Sequence, residues 1–307
     1  MRIAITGGTG YLGSALLGAL TAHGHEAFAV RRGKASDARA QWDPAAGWVR
    51  PGTFEGVDAV VHLSGTSIGS KRWTAGRRAE LRASRIESTR VLVDHLRSLA
   101  QPPKVLIAAS ATGIYGDSGD RVLTEGSPDG AGFLAGLVVD WEREAMRASE
   151  SGLRVVAARF GPMVARDSEL IGRLLLPFRL GLGGRLGSGR QWFSWVATED
   201  AVASVEFMLA HDEIQGPVNV AAPQPATNIE FTQALGRALH RPTIFPVPSA
   251  GLRLLFGRGL ADEMLLGSLR AVPQRLLDAG FRFRHTTIEE ALHAELGGGS
   301  PEMAAAR

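Results

Sequence analysis

The sequence predicts an α/β protein built on a doubly wound parallel sheet, followed by a smaller, mixed α/β and helical C-terminal region. Three observations carry this. Continuous apolar runs at residues 1–5, 57–63, 104–109 and 153–159 alternate with segments of helical period, the pattern of a parallel sheet covered on both faces. A glycine-rich turn, Thr6-Gly-Gly-Thr-Gly-Tyr-Leu-Gly13, joins the first run to the first helical segment. After Gly161 the alternation gives way to a glycine-rich stretch and shorter, mixed elements.

Taken in order, Gly7, Gly10 and Gly13 stand at i, i+3 and i+6. This spacing suits a tight turn, close approach of the backbone to a pyrophosphate, and close helix–strand packing. Leu12, Ala15, Leu16, Ala19 and Leu20 recur at helical spacing, so the pyrophosphate would sit at a helix N-terminus. A second strand at residues 26–30 completes the order strand, glycines, helix, strand, which predicts dinucleotide binding. That strand runs into Arg31-Arg32-Gly33-Lys34, and the first acid beyond it is Asp37. An acid at the strand end would bond the ribose 2′-hydroxyl of NAD, whereas an arginine accepts the 2′-phosphate of NADP. NADP(H) is therefore the expected cofactor.

Residues 57–63 form a strand ending at Ser64-Gly65, and a long helix is expected over 74–100. The strand at 104–109 leads to Ser110 and Thr112, a helix covers 133–150, and a strand covers 153–159. Ligands bind outside the carboxyl ends of such strands, so Ser64, Ser110, Thr112 and the segment after Arg159 share one rim with the glycine loop. Residues 174–190 are glycine-rich and hold no acid. An aromatic strand at 191–196 follows, then a helix with Thr198 as N-cap. Alternation sends Trp192 and Ser194 to one face and Trp195 to the other. A strand is expected at 217–220, a helix at 228–239, a joint at Pro242, Pro246 and Pro248, an apolar face from Leu252, Leu255 and Phe256, and a last helix at 288–296. The expected dinucleotide-binding domain is 1–165, with 191–225 returning to it. Residues 166–190 and 226–296 form the substrate-side region, and 297–307 is expected to be a disordered tail.

Bulk composition narrows the function classes. The 307 residues include no cysteine, which excludes disulfides, thiolate metal sites and cysteine nucleophiles. No metal-ligand constellation stands out. No apolar run approaches the ~20 residues that a membrane span needs, and no signal peptide precedes the first strand, so a cytoplasmic protein is expected. The formal charge is +3 although the pI is 9.8, because 31 of the 34 basic residues are arginine. The expected partner is a small-molecule substrate, not nucleic acid or membrane, and a homodimer is compatible with the sequence.

With these segments laid out, the chain resembles the extended short-chain dehydrogenase/reductase superfamily. Within it, the chain is similar to "epimerase family" proteins that carry a C-terminal domain of unknown function. The resemblance rests on Lys71-Arg-Trp-Thr74, Ser84-Arg-Ile-Glu-Ser-Thr89, Leu175-Leu-Pro-Phe-Arg-Leu-Gly-Leu-Gly-Gly184, Gly187-Ser-Gly-Arg-Gln-Trp192, Ala222-Pro-Gln-Pro-Ala-Thr-Asn228 and Val272-Pro-Gln-Arg-Leu-Leu-Asp-Ala-Gly280. It covers nearly the whole chain. It implies a Rossmann-type fold, NADP(H), and classification among nucleotide-sugar epimerases or reductases. By the same resemblance, Gly7, Thr9, Gly10, Tyr11, Leu12 and Gly13 would hold the pyrophosphate, and Arg31 and Arg32 the 2′-phosphate. Leu63 and Ser64 would pass the adenosine half, and Glu80 and Arg85 would face the cofactor from the long helix. Met163 would lie on the nicotinamide side, although core packing is an equal reading of it.

Enzymes of this superfamily use a tyrosine and a lysine one helical turn apart to exchange a proton with the substrate hydroxyl. The chain has two tyrosines; Ala15 lies four residues after Tyr11 and Gly119 four after Tyr115, so the pair is absent. Aligning Trp141-Glu142 with the superfamily's usual glutamate puts Leu134 and Val138 at the two catalytic positions. Ser110 and Tyr115 remain as candidate catalytic hydroxyls on the rim. Tyr115 would act as a phenol of lowered pKa or, alternatively, pack a turn. Glu142 reads as a solvated or paired residue and His62 as a core histidine. Arg185, Arg190 and Trp192 are the candidate substrate contacts. Two functions stay open: an NADP-dependent epimerase or reductase acting on a small hydroxyl- or carbonyl-bearing substrate such as a nucleotide sugar, or a catalytically degenerate NADPH-binding module that reports redox state.

Overall fold

The computed structural model describes residues 1–33 and 40–297. Eight strands form one sheet: β1 (Arg2–Thr6), β2 (Glu26–Arg32), β3 (Gln41–Asp43), β4 (Trp48–Val49), β5 (Ala59–His62), β6 (Val105–Ala111), β7 (Arg154–Phe160) and β8 (Gly216–Val220). Their spatial order is β8-β7-β6-β5-β1-β2-β3-β4, parallel throughout except for the β3–β4 hairpin at one edge. The order reverses between β1 and β5, so a crevice opens there at the carboxyl ends of the strands. Helices α1 (Tyr11–Ala22) and α6 (Thr198–Ala210) cover one face, where Ile3, Ile5, Leu16, Val61, Ile107, Val156, Val205 and Met208 form a sealed layer. The long helix and α4 (Phe133–Met146) cover the other, packing Leu92, Leu96 and Ala145 against Ala4, Val60 and Leu106. Fully buried strands of this kind read as near-continuous apolar runs, which is why they were visible in the sequence.

The long helix spans α2 (Ala75–Arg82) and α3 (Ser88–Ser98), joined by a π-helical turn at Ala83–Glu87. Thr74 caps it by accepting from the Arg77 amide at 3.2 Å. π-Turns inside helices frequently sit at functional sites, and this one carries Arg85.

A second core lies under the C-terminal region. Phe178 of α5 (Glu169–Arg179), Trp195, Phe231 and Leu235 of α7 (Asn228–Ala238), Ile288 and Leu292 pack together there. Leu276 and Phe281, expected on the substrate side, instead complete the core under α6.

Three local expectations need correction. The aromatic strand of 191–196 is two short pieces: Trp192–Phe193 pairs with Ala226–Thr227, and Val196–Ala197 pairs with Met163–Val164. Thr198 is not an N-cap. Its hydroxyl meets the Tyr11 hydroxyl at 3.0 Å, and Ala197 holds the cap position without a side-chain bond. In the helix Ser249–Phe256 only Leu252 is buried, while Leu255 is 63% exposed. Asp37 and most of the expected tail, 298–307, lie outside the described residues.

Candidate functional site

The glycine loop follows β1 and opens onto the crevice. A Cβ on Gly7 would stand 2.8 Å from the Leu63 carbonyl carbon and oxygen, and Gly7 has φ +74°, so only glycine lets this turn rest against Leu63 and Ser64. A Cβ on Gly13 would meet the Gly7 carbonyl oxygen at 2.2 Å. Gly10 differs: apart from that oxygen at 3.2 Å, the position of its Cβ faces open space. Gly10 caps α1 without a side-chain hydrogen bond, leaving the first-turn amides of Tyr11, Leu12 and Gly13 available to an anion. Thr9, Gly10 and Tyr11 are exposed around this opening. The cradle fits a pyrophosphate.

Beside it, β2 ends in Arg31 and Arg32, both exposed and neither with a carboxylate partner among the described residues. Two free guanidinium groups at that strand end fit a 2′-phosphate.

Arg85 lies on the other side of the crevice and is 7% exposed. Its Nη2 donates to the Thr66 carbonyl oxygen at 2.9 Å, its guanidinium lies 5.3 Å from the Trp141 ring centroid, and its Nε has no partner among the described residues. Burial, and then the charge of Arg77, lowers its pKa to about 10, so it stays cationic at neutral pH. A buried cation without a carboxylate, beside Gly65, fits an anionic or hydroxyl-rich ligand. Glu80, expected to face the cofactor, is half-exposed and pairs with Arg77 at 2.6 Å. Met163 is partly buried against the core and pairs in register with Val196, so it combines core packing with a place just beyond β7.

At the end of β6 the side chains form a continuous chain. Ser110 Oγ donates to Glu142 Oε1 at 2.5 Å. Arg159, at the end of β7, grips the same carboxylate with Nε at 2.7 Å and Nη2 at 2.8 Å. Its Nη1 donates to the Tyr115 hydroxyl at 2.9 Å, and that hydroxyl donates to Asn219 Oδ1 at 2.8 Å. Tyr115 is 1% exposed, and burial raises its pKa, outweighing the opposing effects of Arg159 and Asn219. The expectation of a phenol tuned downward therefore does not hold: desolvation of the phenolate dominates the nearby guanidinium. Tyr115 is a hub of the packing. Ser110, by contrast, gives its proton to a carboxylate and keeps its lone pairs.

Leu134 and Val138 stand on α4 facing this region, with Val138 buried and Leu134 against Gly113. The Glu263 carboxylate accepts from the Phe133 amide at 3.1 Å and the Leu134 amide at 2.7 Å, so a C-terminal residue satisfies the N-terminus of α4.

Of the candidate substrate contacts, Arg185 turns onto the Gly187 carbonyl oxygen at 2.5 Å. Trp192 Nε1 donates to Asp120 at 3.0 Å beneath the Arg270 guanidinium, 4.1 Å from the ring. Arg190 is exposed. The hydrogen bonds of Arg185 and Trp192 join them to neighbouring loops and not to the rim.

Sequence reasoning missed that Arg159 links Glu142 to the Tyr115 hydroxyl and, through it, to Asn219. One signal was present: Arg159 stands among the buried apolar residues near the end of β7, and a buried charge requires a partner. His62, as expected, is a core residue, held between the Thr6 and Thr89 hydroxyls at 2.6 and 3.0 Å. Among the described residues no metal-binding group of side chains occurs.

Residues 3–221 match the NAD dependent epimerase/dehydratase family. The chain belongs to this family. Residues 247–295 match a domain of unknown function, DUF1731. The chain is 45% identical over 291 residues to the epimerase family protein Mb2239 of Mycobacterium bovis, covering 94% of this chain and 96% of that protein. It is 37% identical to the human epimerase family protein SDR39U1, covering 95% and 98%. A crystal structure of human SDR39U1 (isoform 2) with NADPH superposes with a TM-score of 0.89 at 33% identity, covering 97% of this chain and 100% of that one. A nucleoside-diphosphate sugar epimerase from Corynebacterium glutamicum superposes at 0.78 and 33% identity, covering 96% of this chain and 58% of that one. This epimerase-family chain therefore has an NAD(P)-binding fold along most of its length, and it lacks a tyrosine–lysine pair one turn apart.

Proposed function

We propose that this protein is a cytoplasmic NADP(H)-dependent oxidoreductase or epimerase that acts on a small hydroxyl- or carbonyl-bearing substrate, a nucleotide sugar being the class its relatives suggest. The carrying observation is the cradle of free α1 amides beside two exposed arginines, Arg31 and Arg32, that have no carboxylate partner among the described residues. NADPH in the human relative supports the same choice of cofactor. When bound, the dinucleotide would give or accept a hydride.

Proton exchange then falls to Ser110. Its oxygen accepts the proton of a substrate hydroxyl while its own proton passes to Glu142, which Arg159 keeps in place through two hydrogen bonds. Leu134 and Val138 exclude water without taking part. The test is a screen of the purified protein with NADPH or NADP+ against sugar nucleotides and simple carbonyls. Ser110→Ala is expected to lower turnover by about 10²-fold, and tight cofactor binding with no turnover on any substrate would defeat the reading.

That second outcome belongs to the other reading, a cofactor-dependent sensor. The observation favouring it is that the position of the usual tyrosine holds Leu134 while Tyr115 is locked inside the fold. It requires NADPH to change the affinity for a protein partner, and equal affinity with and without NADPH would remove it.

A further inference from the structure

Two stretches of the chain contain no carboxylate. Residues 170–198 carry Arg173, Arg179, Arg185 and Arg190, and residues 231–261 carry four more arginines, among them Arg237 and Arg241. The fold sets the two side by side. The Val247 amide donates to the Arg185 carbonyl oxygen at 2.9 Å, the Gly187 amide donates to the Val247 carbonyl oxygen at 2.9 Å, and Arg241 Nε reaches the Arg179 carbonyl oxygen at 2.9 Å.

The joined ribbon displays Leu176, Leu180, Leu182, Ile244 and Phe245, which are 66, 65, 59, 70 and 54% exposed. Apolar side chains that line a groove shield one another; these each expose more than half their surface and so protrude. Leu176 lies in the last turn of α5 and Leu180 is its C-cap residue, and both are exposed. Next to them Arg237, His240 and Arg241 help line an open recess of about 640 Å³. Arg179 and Arg241 have no carboxylate partner among the described residues, whereas Arg173 pairs with Glu169 and Arg237 with Glu289.

We propose that this face docks on an anionic lipid bilayer. The five apolar side chains enter the boundary between headgroups and acyl chains, and Arg179, Arg241 and the adjoining recess meet lipid phosphates. A second copy of the chain is a poor occupant, since the same surface would bring Arg179 and Arg241, which have no carboxylate partner among the described residues, against their own copies. An acidic protein would match the charge, but large protruding side chains spread along a ribbon suit a medium that yields around them. The absence of a membrane span, from which no membrane partner was expected, bears on crossing and not on surface attachment.

The test is co-sedimentation of the full-length, NADPH-loaded protein with vesicles of phosphatidylcholine alone or mixed with phosphatidylglycerol. Binding is expected only to the anionic vesicles, and it should be reversed by raising the salt. Leu180→Ser/Phe245→Ser and Arg179→Glu/Arg241→Glu should each lower the partition coefficient by about tenfold or more. Leu180→Ser/Phe245→Ser should keep wild-type NADPH affinity and melting temperature, because both side chains are exposed. Arg179→Glu/Arg241→Glu should keep NADPH affinity, with a small fall in melting temperature from the lost bond of Arg241 to the Arg179 carbonyl oxygen. No sedimentation with anionic vesicles, or equal partition of wild type and variants, overturns the proposal. Neither result touches the cofactor reading, which NADPH affinity reports separately.

Discussion

Tyr115→Phe distinguishes a chemical hydroxyl from a structural one. The ring stays, so no cavity forms. What disappears is the acceptor for Arg159 Nη1 at 2.9 Å and the donor to Asn219 Oδ1 at 2.8 Å, inside a site where Tyr115 is 1% exposed and Asn219 fully buried. A buried polar group left unpaired costs about 1–3 kcal/mol, and more when it is charged, so the substitution should cost about 3 kcal/mol. At about 2–4 °C per kcal/mol, the melting temperature should fall by about 6–12 °C. Thermal and urea unfolding measure this directly. A double variant with Asn219→Ala should cost less than the sum of its parts, because the two share one hydrogen bond. NADPH affinity should be unchanged. A melting temperature within about 1 °C of wild type would refute the buried network, and lost turnover at unchanged stability would return Tyr115 to the chemistry.

Gly10→Val should abolish NADPH binding with an unchanged melting temperature, since the new side chain enters open space where the pyrophosphate belongs; an unchanged dissociation constant would show that the cradle is misassigned. Gly13→Ala should lower both, because its Cβ meets the Gly7 carbonyl oxygen at 2.2 Å, and retained stability would count against that packing. His62 supplies a pH dependence. Burial lowers its pKa from 6.5 to about 3, so below pH 6.5 the unfolded chain binds a proton that the native state refuses. Stability should therefore fall as pH drops from 6.5 toward 3, by about 1.4 kcal/mol per unit from this group. His62→Gln should flatten the profile between about pH 6.5 and 5, and parallel profiles would contradict the assignment.

The sheet was legible because β1, β5, β6 and β7 are buried on both faces and therefore mostly apolar. The glycine loop was legible because Gly7 and Gly13 answer steric demands of the fold, while Gly10 leaves the space over the first turn of α1 open. Element ends were less so: β6 continues through Ser110 and Ala111, polar or small residues that carry no strand signal alone. The division of Gln191–Val196 into two pieces depends on partners from 163–164 and 226–227, which no local pattern announces. The role of Tyr115 was illegible for the same reason. Its phenol is governed by Arg159 and Asn219, 44 and 104 residues away, and by a desolvation that only the packed fold imposes. Sequence alone placed the hydroxyl on the rim, and packing drew it inside.

We propose that this epimerase-family chain binds NADP(H) through α1 and the arginines closing β2. Dissociation constants for NADPH and NADH, measured by fluorescence or calorimetry on wild type, Arg31→Ala and Arg32→Ala, test it most directly. Wild type should prefer NADPH, and Arg32→Ala should weaken NADPH by about tenfold or more, the value of one charge-assisted hydrogen bond, with Arg31→Ala weaker in effect and NADH nearly unchanged in both. Equal affinities in the wild type, or equal losses for the two cofactors, would contradict the claim.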